Sequence, residues 1–375
     1  MKEVFSGYLP RTNDELLNLI TNANIVFDSS SLFNLYRYKK ETTLDILNYL
    51  NKIKERLFLP YIVGLEYHNN RVGVLKQQRA IYRKLEGKVE DLNKSISDQF
   101  LQDQHSAVEI ESVQNIVKKF EKELTAYLNK CEKSHPNYLI DDPIRDEIVT
   151  LFQTRTGQVL NGEELNTIYE VAQKRFENKI PPGYKDSKNK ENQYKTYGAQ
   201  TIWCKYADYI IWHELILNGK ATQKNTLLIC DERKEDWLWD EHGYKLGPRP
   251  ELFTEYRCET GKEFHLMSLL DFFEKLKQLD IHNFSDKVIT DIKKSTNIPW
   301  RDEVKQAFIA LGGTASLEQV YGYIKHNSTK NLTKEWRGTV RKAIYYYCSD
   351  RDLFLGKENI YQALNGSVYK LRDNN

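Results

Sequence analysis

Residues 24–38, Asn24-Ile25-Val26-Phe27-Asp28-Ser29-Ser30-Ser31-Leu32-Phe33-Asn34-Leu35-Tyr36-Arg37-Tyr38, decide how the rest of the chain is read. Ile25, Val26 and Phe27 form a short apolar run of strand formers, the composition of a parallel strand covered on both faces. Asp28 follows at once. Ser29 to Ser31 then open an apolar-periodic segment, so Ser30 or Ser31 can cap a helix N-terminus. Open α/β sheets bind their ligands at the carboxyl ends of strands, beside helix starts. An acid there is costly unless it meets a cation or hydrogen-bond donors. The competing reading is that Asp28 is itself the cap.

Upstream, residues 12–22 read as a helix capped by Thr12 or Asn13, with Leu16, Leu17, Leu19 and Ile20 as its buried stripe. Downstream, residues 32–54 read as a helix carrying Leu44, Ile46, Leu47, Leu50 and Ile53 at helical spacing. Leu57-Phe58-Leu59-Pro60 is a second short strand, stopped by proline. Strand, helix and strand make a βαβ unit, expected to be parallel and right-handed.

Val63-Gly64-Leu65-Glu66 begins a long helical tract, rich in Lys, Glu and Gln, that reaches about Leu128. Ile81, Leu85, Val89, Leu92 and Ile96 recur along it at three- and four-residue intervals. A helical hairpin is expected, turning near 97–106: a solvated arm, or a clamp for nucleic acid or a partner. Helices follow through Ile148 and Phe152, ended by Gly157, and from Gly162 to Phe176. Ile180-Pro181-Pro182-Gly183-Tyr184-Lys185-Asp186 is a rigid loop. Residues 187–196 are polar and expected to be mobile. A helix carries Tyr206 to Trp212. Thr226 to Cys230 is a buried strand that runs into Asp231. Phe264 to Met267 is a last strand, followed by a helix through Leu276. Residues 279–298 read as a linker.

The composition bounds the function. The chain has 375 residues, 40% hydrophobic and 29% charged, with a net charge of +2, so any nucleic-acid surface must be a local patch. The five cysteines form no C-x-x-C pair, which argues against structural zinc and fits reduced thiols. The N-terminus has no apolar signal core and no run has the length of a membrane span, so a soluble cytoplasmic protein and no membrane partner are expected.

Asp28, Glu66, Asp208 and Asp231 fall at strand ends or on helices expected to pack beside them. One rim of a parallel sheet collects all strand C-termini, so these acids can converge across about 200 residues of sequence. Several carboxylates in one pocket cannot all ionise without a cation. Hard oxygen ligands select Mg²⁺ or Mn²⁺ over zinc. Such a site suits metal-dependent phosphodiester hydrolysis; four separate helix caps would produce the same residue types.

Five stretches in order resemble the bacterial PIN-like nuclease family: Val26-Phe27-Asp28-Ser29-Ser30-Ser31-Leu32-Phe33-Asn34-Leu35-Tyr36-Arg37-Tyr38, Leu65-Glu66-Tyr67-His68-Asn69-Asn70-Arg71, Pro181-Pro182-Gly183-Tyr184-Lys185-Asp186, Tyr206-Ala207-Asp208-Tyr209-Ile210-Ile211-Trp212, and Cys230-Asp231-Glu232-Arg233-Lys234-Glu235-Asp236-Trp237. The resemblance spans residues 1 to about 277. It implies that Asp28, Glu66, Asp208 and Asp231 hold the metal, with Ser30 as the small polar residue after the first acid. Ala207, Cys230 and Glu232 depart from the family's usual Gly, Thr and Asp, which leaves Asp231, Glu232 and Asp236 as alternatives for the fourth acid. Arg71, Lys185 and Asp186 are supporting or phosphate contacts, or surface salt bridges.

From Trp300 the texture changes to three helices, Asp302–Leu311, Leu317–His326 and Glu335–Cys348, and two short strands, Phe354-Leu355-Gly356 and Val368 to Leu371. Leu311-Gly312-Gly313, the Leu317–Ile324 helix and Trp336-Arg337-Gly338-Thr339-Val340-Arg341-Lys342 resemble the winged-helix domains called HARE-HTH. Residues 295–375 carry 12 Lys and Arg against 8 Asp and Glu, a mild basic bias. A recognition helix would turn Lys334, Arg337, Arg341 and Lys342 toward a groove or phosphates; the other reading is a protein contact.

The expected architecture is therefore an α/β PIN-like parallel sheet with flanking helices over 1–278, a helical insertion at about 72–130, a linker at 279–298 and a winged helix-turn-helix domain over 299–375. The expected activity is that of an Mg²⁺- or Mn²⁺-dependent endonuclease. RNA is favoured over DNA as its target, and the setting implied by the resemblance is a toxin or anti-phage defence effector, alone, as a homo-oligomer or with a defence-system partner. A non-catalytic nucleic-acid-binding regulator on the same scaffold is the alternative class.

Overall fold

The computed structural model describes residues 1, 5–9, 11–102, 109–198, 200–231, 235–241, 244–295, 300–328, 330, 332, 334–356 and 358–372. In chain order the first part holds α1 (Asn13–Asn22), β1 (Asn24–Phe27), α2 (Ser29–Phe33), α3 (Lys40–Lys52), β2 (Leu57–Phe58), α4 (Tyr61–Gln102), α5 (Ile110–Ser134), α6 (Pro143–Phe152) and α7 (Gly162–Glu177). It continues with β3 (Tyr194–Tyr197), β4 (Gln200–Trp203), α8 (Ala207–Thr222), β5 (Thr226–Ile229), β6 (Leu238–Glu241), β7 (Tyr244–Pro248), α9 (Pro250–Thr260), β8 (Phe264–Met267), α10 (Leu269–Gln278) and α11 (Asp286–Ser295). Beyond these come α12 (Trp300–Ala310), β9 (Thr314–Ser316), α13 (Leu317–Asn327), α14 (Trp336–Tyr345), β10 (Tyr361–Ala363) and β11 (Val368–Leu371).

The apolar runs at Ile25 and Leu227 are buried on both faces because they are the two inner strands of a parallel sheet ordered β2-β1-β5-β8. Ile25 pairs with Leu57 on one side and with Leu227 on the other, and Leu227 pairs with His265. The chain leaves β1 toward β2 and leaves β5 toward β8, so the winding reverses between β1 and β5. Such a switch point opens a crevice at the carboxyl end of the sheet. Helices cover the sheet, and one hydrophobic cluster extends from Leu19 to Ile292, with Trp212, Phe27, Phe264, Phe272 and Phe273 fully buried in it.

Several local expectations are corrected. The helix read over 32–54 is broken: α2 ends at Phe33, a 3-10 turn covers Asn34–Tyr36, and α3 starts at Lys40, where Lys39 N–H donates to Asp291 Oδ2 at 2.8 Å. α6 ends at Phe152, and Gly157 instead pairs with Leu59 through its N–H at 2.8 Å. The polar segment 187–196 contains β3, which forms an antiparallel hairpin with β4. The 279–298 stretch is not an open linker where it is described. Phe284 is buried just before α11, and Val288, Ile289 and Ile292 are buried at a spacing that puts them on one face of α11, against α3 and α10. Its many Lys, Asp and Ser residues masked that stripe. In the α4–α5 hairpin, Val89 is buried while Ile81, Leu85 and Leu92 remain exposed; of the turn expected near 97–106, residues 97–102 still belong to α4 and 103–106 lie outside the described residues.

The last part has its own core, from Val304 to Leu371. Three helices pack on an antiparallel sheet ordered β10-β11-β9. The strand expected at 354–356 lies instead at Tyr361–Ala363, because Tyr361 is the residue that packs inward, against Phe308. Thr314–Ser316 adds a third strand too short to leave an alternating pattern.

Candidate active site

The end of β1 places Asp28 at the crevice. Its side chain caps α2, accepting from Ser30 N–H at 3.3 Å and from Ser30 Oγ–H at 2.7 Å. The cap is thus Asp28, not Ser30 or Ser31; Ser31 Oγ–H instead donates to Ile229 O at 3.2 Å and ties α2 to β5. Burial is the main influence on Asp28 and raises its carboxyl to about 6; the Ser30 hydrogen bond opposes this and the Glu66 charge adds to it.

Two helices supply the next acids. Glu66 lies in the second turn of α4 and Asp208 in the first turn of α8. Buried Glu214 on α8 sets their relative position: its Oε1 accepts from Tyr61 N–H at 2.8 Å, and Oε2 from Ile62 N–H at 3.5 Å. A carboxylate at the unsatisfied N–H groups of a helix start is favoured by hydrogen bonding and by the helix dipole. Burial nevertheless raises Glu214 to about 7. Gly157 is required beside it, since a Cβ there would stand 2.0 Å from Glu214 Oε1.

Asp28, Glu66 and Asp208 line one pocket of about 160 Å³, together with Ser29, Val63, Lys190, Ile211, Leu228, Cys230 and Trp237. Asp231 lies one residue past Cys230 and is not in that lining. It accepts from Asn34 Nδ2 at 3.4 Å and from the N–H of Leu269, the first residue of α10, at 3.3 Å. Glu66 is engaged at both oxygens: Ser29 Oγ–H donates to Oε2 at 3.2 Å, and Lys195 Nζ donates to Oε1 at 2.6 Å.

The supporting residues of the sequence reading divide. Arg71 pairs with Asp142, a fully buried carboxylate that also accepts from Tyr36 O–H at 2.9 Å. Arg71 is thereby part of a buried network with Asp142, Tyr36 and Tyr138. Lys185 pairs with Glu235, and Asp186 pairs with Lys190 at 2.9 Å. Asp236 is fully buried and accepts from Gly183 N–H and Lys185 N–H, both at 3.0 Å, so it fastens the Pro-Pro-Gly loop. Glu232 lies outside the described residues. Lys334, Arg337, Arg341 and Lys342 are exposed on and just before α14, with Arg337 over the Tyr321 ring at 5.1 Å.

Ser29, Lys190, Lys195 and Glu214 were not singled out from sequence. For Lys195 there was a usable signal: Tyr194-Lys195-Thr196-Tyr197 and Gln200-Thr201-Ile202-Trp203, rich in strand formers, flank Gly198 as hairpin arms do.

The pocket carboxylates are hard oxygen donors, and the ammonium of Lys195 on Glu66 marks a place where positive charge is favoured. In donor chemistry they fit a divalent cation such as Mg²⁺ or Mn²⁺. As they stand, no group of three or more His, Cys, Asp and Glu side chains among the described residues is arranged to hold a metal. Among the described residues no helix is long and apolar enough to cross a membrane.

Residues 24–252 match the family model described as a PIN like domain, and the chain belongs to that family. No curated protein and no solved structure matches the chain.

Proposed function

We propose, with membership of the PIN-like family as the premise, that this chain is a divalent-metal-dependent endonuclease that hydrolyses phosphodiester bonds, RNA being the favoured target. PIN-like domains are generally metal-dependent nucleases. The observation that supports the reading here is the shared pocket: Asp28, Glu66 and Asp208 meet at the switch point of the sheet from three different elements.

In this reading Asp28, Glu66 and Asp208 hold the cation, with Asp231 as an outer member reached through Cys230. A bound Mg²⁺ or Mn²⁺ would supply an acidified water and neutralise charge at the phosphate. The chain's own residues then orient the carboxylates: Ser30 turns Asp28, Ser29 turns Glu66, and the N-terminus of α10 holds Asp231. Water adds to phosphorus and gives up a proton to solvent, the bond to the leaving sugar oxygen breaks, and that oxygen takes up a proton from solvent.

We assign residues 299–375 as a winged-helix targeting module, supported by its element order and its separate core. Lys334, Arg337, Arg341 and Lys342 are its nucleic-acid contacts. The biological setting, a cytoplasmic toxin or anti-phage effector, follows from the family resemblance. The decisive experiment incubates the full chain with total RNA and with plasmid DNA, in Mn²⁺ or in EDTA. Cleavage of RNA in Mn²⁺ alone is expected; cleavage of the plasmid instead moves the target to DNA, and intact substrates in both conditions overturn the nuclease reading.

A further inference from the structure

We infer that Lys195 is a built-in competitor for the divalent cation, delivered to the acid pocket by the β3–β4 hairpin. The inference rests on the metal-site reading above and adds a control element to it. The hairpin register opposes Lys195 to Ile202. Ile202 is buried at 2% exposure, so this face of the hairpin turns inward, and Lys195 points with it toward Glu66. On the other face Tyr194 and Trp203 form an exposed edge-to-face pair with centroids 6.0 Å apart.

The contact is close and shielded. Nζ lies 2.6 Å from Glu66 Oε1, with side-chain exposures of 19% for Lys195 and 20% for Glu66. An ammonium and a divalent cation repel, and both would be drawn to the Glu66 carboxylate. Metal binding through Glu66 is therefore opposed while Nζ stays, and favours its departure. Lysine suits this exchange, because its charge is compact and its four-carbon stem flexible. The hairpin stays tethered by other contacts: Gln200 Nε2–H donates to Leu160 O, and Trp203 N–H donates to Tyr169 Oη at 3.2 Å.

The cost to the metal is a matter of populations. When only a fraction of molecules is binding-competent, apparent affinity falls by that fraction. If Lys195 covers Glu66 about nine-tenths of the time, removing it tightens metal binding about tenfold.

The test is Mn²⁺ binding to the full chain, measured by calorimetry at fixed ionic strength, with no substrate present. Lys195→Met is expected to bind Mn²⁺ about tenfold more tightly than the native chain, while Lys195→Arg, which keeps a cation on Glu66, shows no tightening. Equal or weaker binding by Lys195→Met overturns the competitor role and leaves the metal site standing. If neither chain binds Mn²⁺, the metal reading fails and the competitor falls with it. A second measurement needs no variant: saturating Mg²⁺ should speed amide hydrogen exchange in 194–203 of the native chain, as the anchor on Glu66 is released. Exchange there that is unchanged in metal-saturated protein also overturns the inference.

Discussion

The carboxylate of Asp236 is bonded to the backbone of Gly183: one oxygen, Oδ2, accepts the N–H of Gly183 and the N–H of Lys185, each at 3.0 Å. The last acidic turn thereby holds the Pro-Pro-Gly loop against the start of α8. Gly183 has φ of +99°, and a Cβ added to it would lie 3.1 Å from Asp208 Cβ and 3.1 Å from Phe176 Cζ. Gly183→Ala should destabilise the protein by on the order of 1–3 kcal/mol, from the left-handed backbone and the crowding. It should also lower cleavage by displacing Asp208. A melting temperature and a rate both equal to those of the native chain would show that the loop does not position Asp208.

Asp28→Asn and Asp208→Asn should each lower cleavage by at least about a hundredfold, the scale of losing one preorganised charge interaction. The proteins should stay folded. Asp28 is a desolvated carboxylate beside Glu66, so replacing it with a neutral amide removes crowding while still accepting from Ser30. At pH 8 the melting temperature of Asp28→Asn should match or exceed that of the native chain. Near-native cleavage by either variant refutes the assignment of the acids.

Glu214 makes stability pH-dependent. Burial raises its folded-state value to about 7, above the ordinary 4.5, so the folded chain holds this proton more tightly than the unfolded chain. Its contribution is fully present below pH 4.5 and is lost as pH climbs to 7, a decline on the order of 3 kcal/mol that then levels off. Glu214→Gln cannot titrate. The stability difference between native and Glu214→Gln proteins, taken from urea unfolding between pH 4.5 and 7.5, should shift against the native chain over that window. Parallel curves would mean that Glu214 is already ionised throughout.

Arg71 offers a test that separates support from chemistry. Arg71→Met leaves Asp142 buried with its charge uncompensated, and loss of one partner of a buried pair costs about 3–5 kcal/mol. Cleavage per folded molecule should nevertheless remain within about threefold of native, well short of the drop expected on removing a charge that acts on the reacting phosphate. A large rate loss without loss of stability would return Arg71 to the phosphate.

On α14, Arg337 and Arg341 are one turn apart and exposed. The double substitution to Ala should weaken nucleic-acid binding and reduce the slope of log affinity against log salt by about 2, one for each phosphate that is no longer neutralised. An unchanged slope in fluorescence anisotropy would point the module toward a protein partner instead.

The strands of the main sheet, the acids at its rim and the order of the five motifs were legible in the residues. Short apolar runs that must be buried on both faces, followed at once by an acid, have few other homes than an inner parallel strand; Ile25 to Asp28 and Leu227 to Asp231 are such runs. What the chain alone left open was which polar side chains consume one another. Asp236 and Asp231 are both acids of the same turn. Only packing sends Asp236 inward to backbone N–H groups and leaves Asp231 at the N-terminus of α10. Arg71 is likewise taken by Asp142, 71 positions away, and Lys195 by Glu66, 129 positions away. Hydrophobic period is a local property and can be read locally. An ion pair between distant residues is decided by where the folded backbone brings two charges together and how much water it leaves around them, and no stretch of sequence carries that.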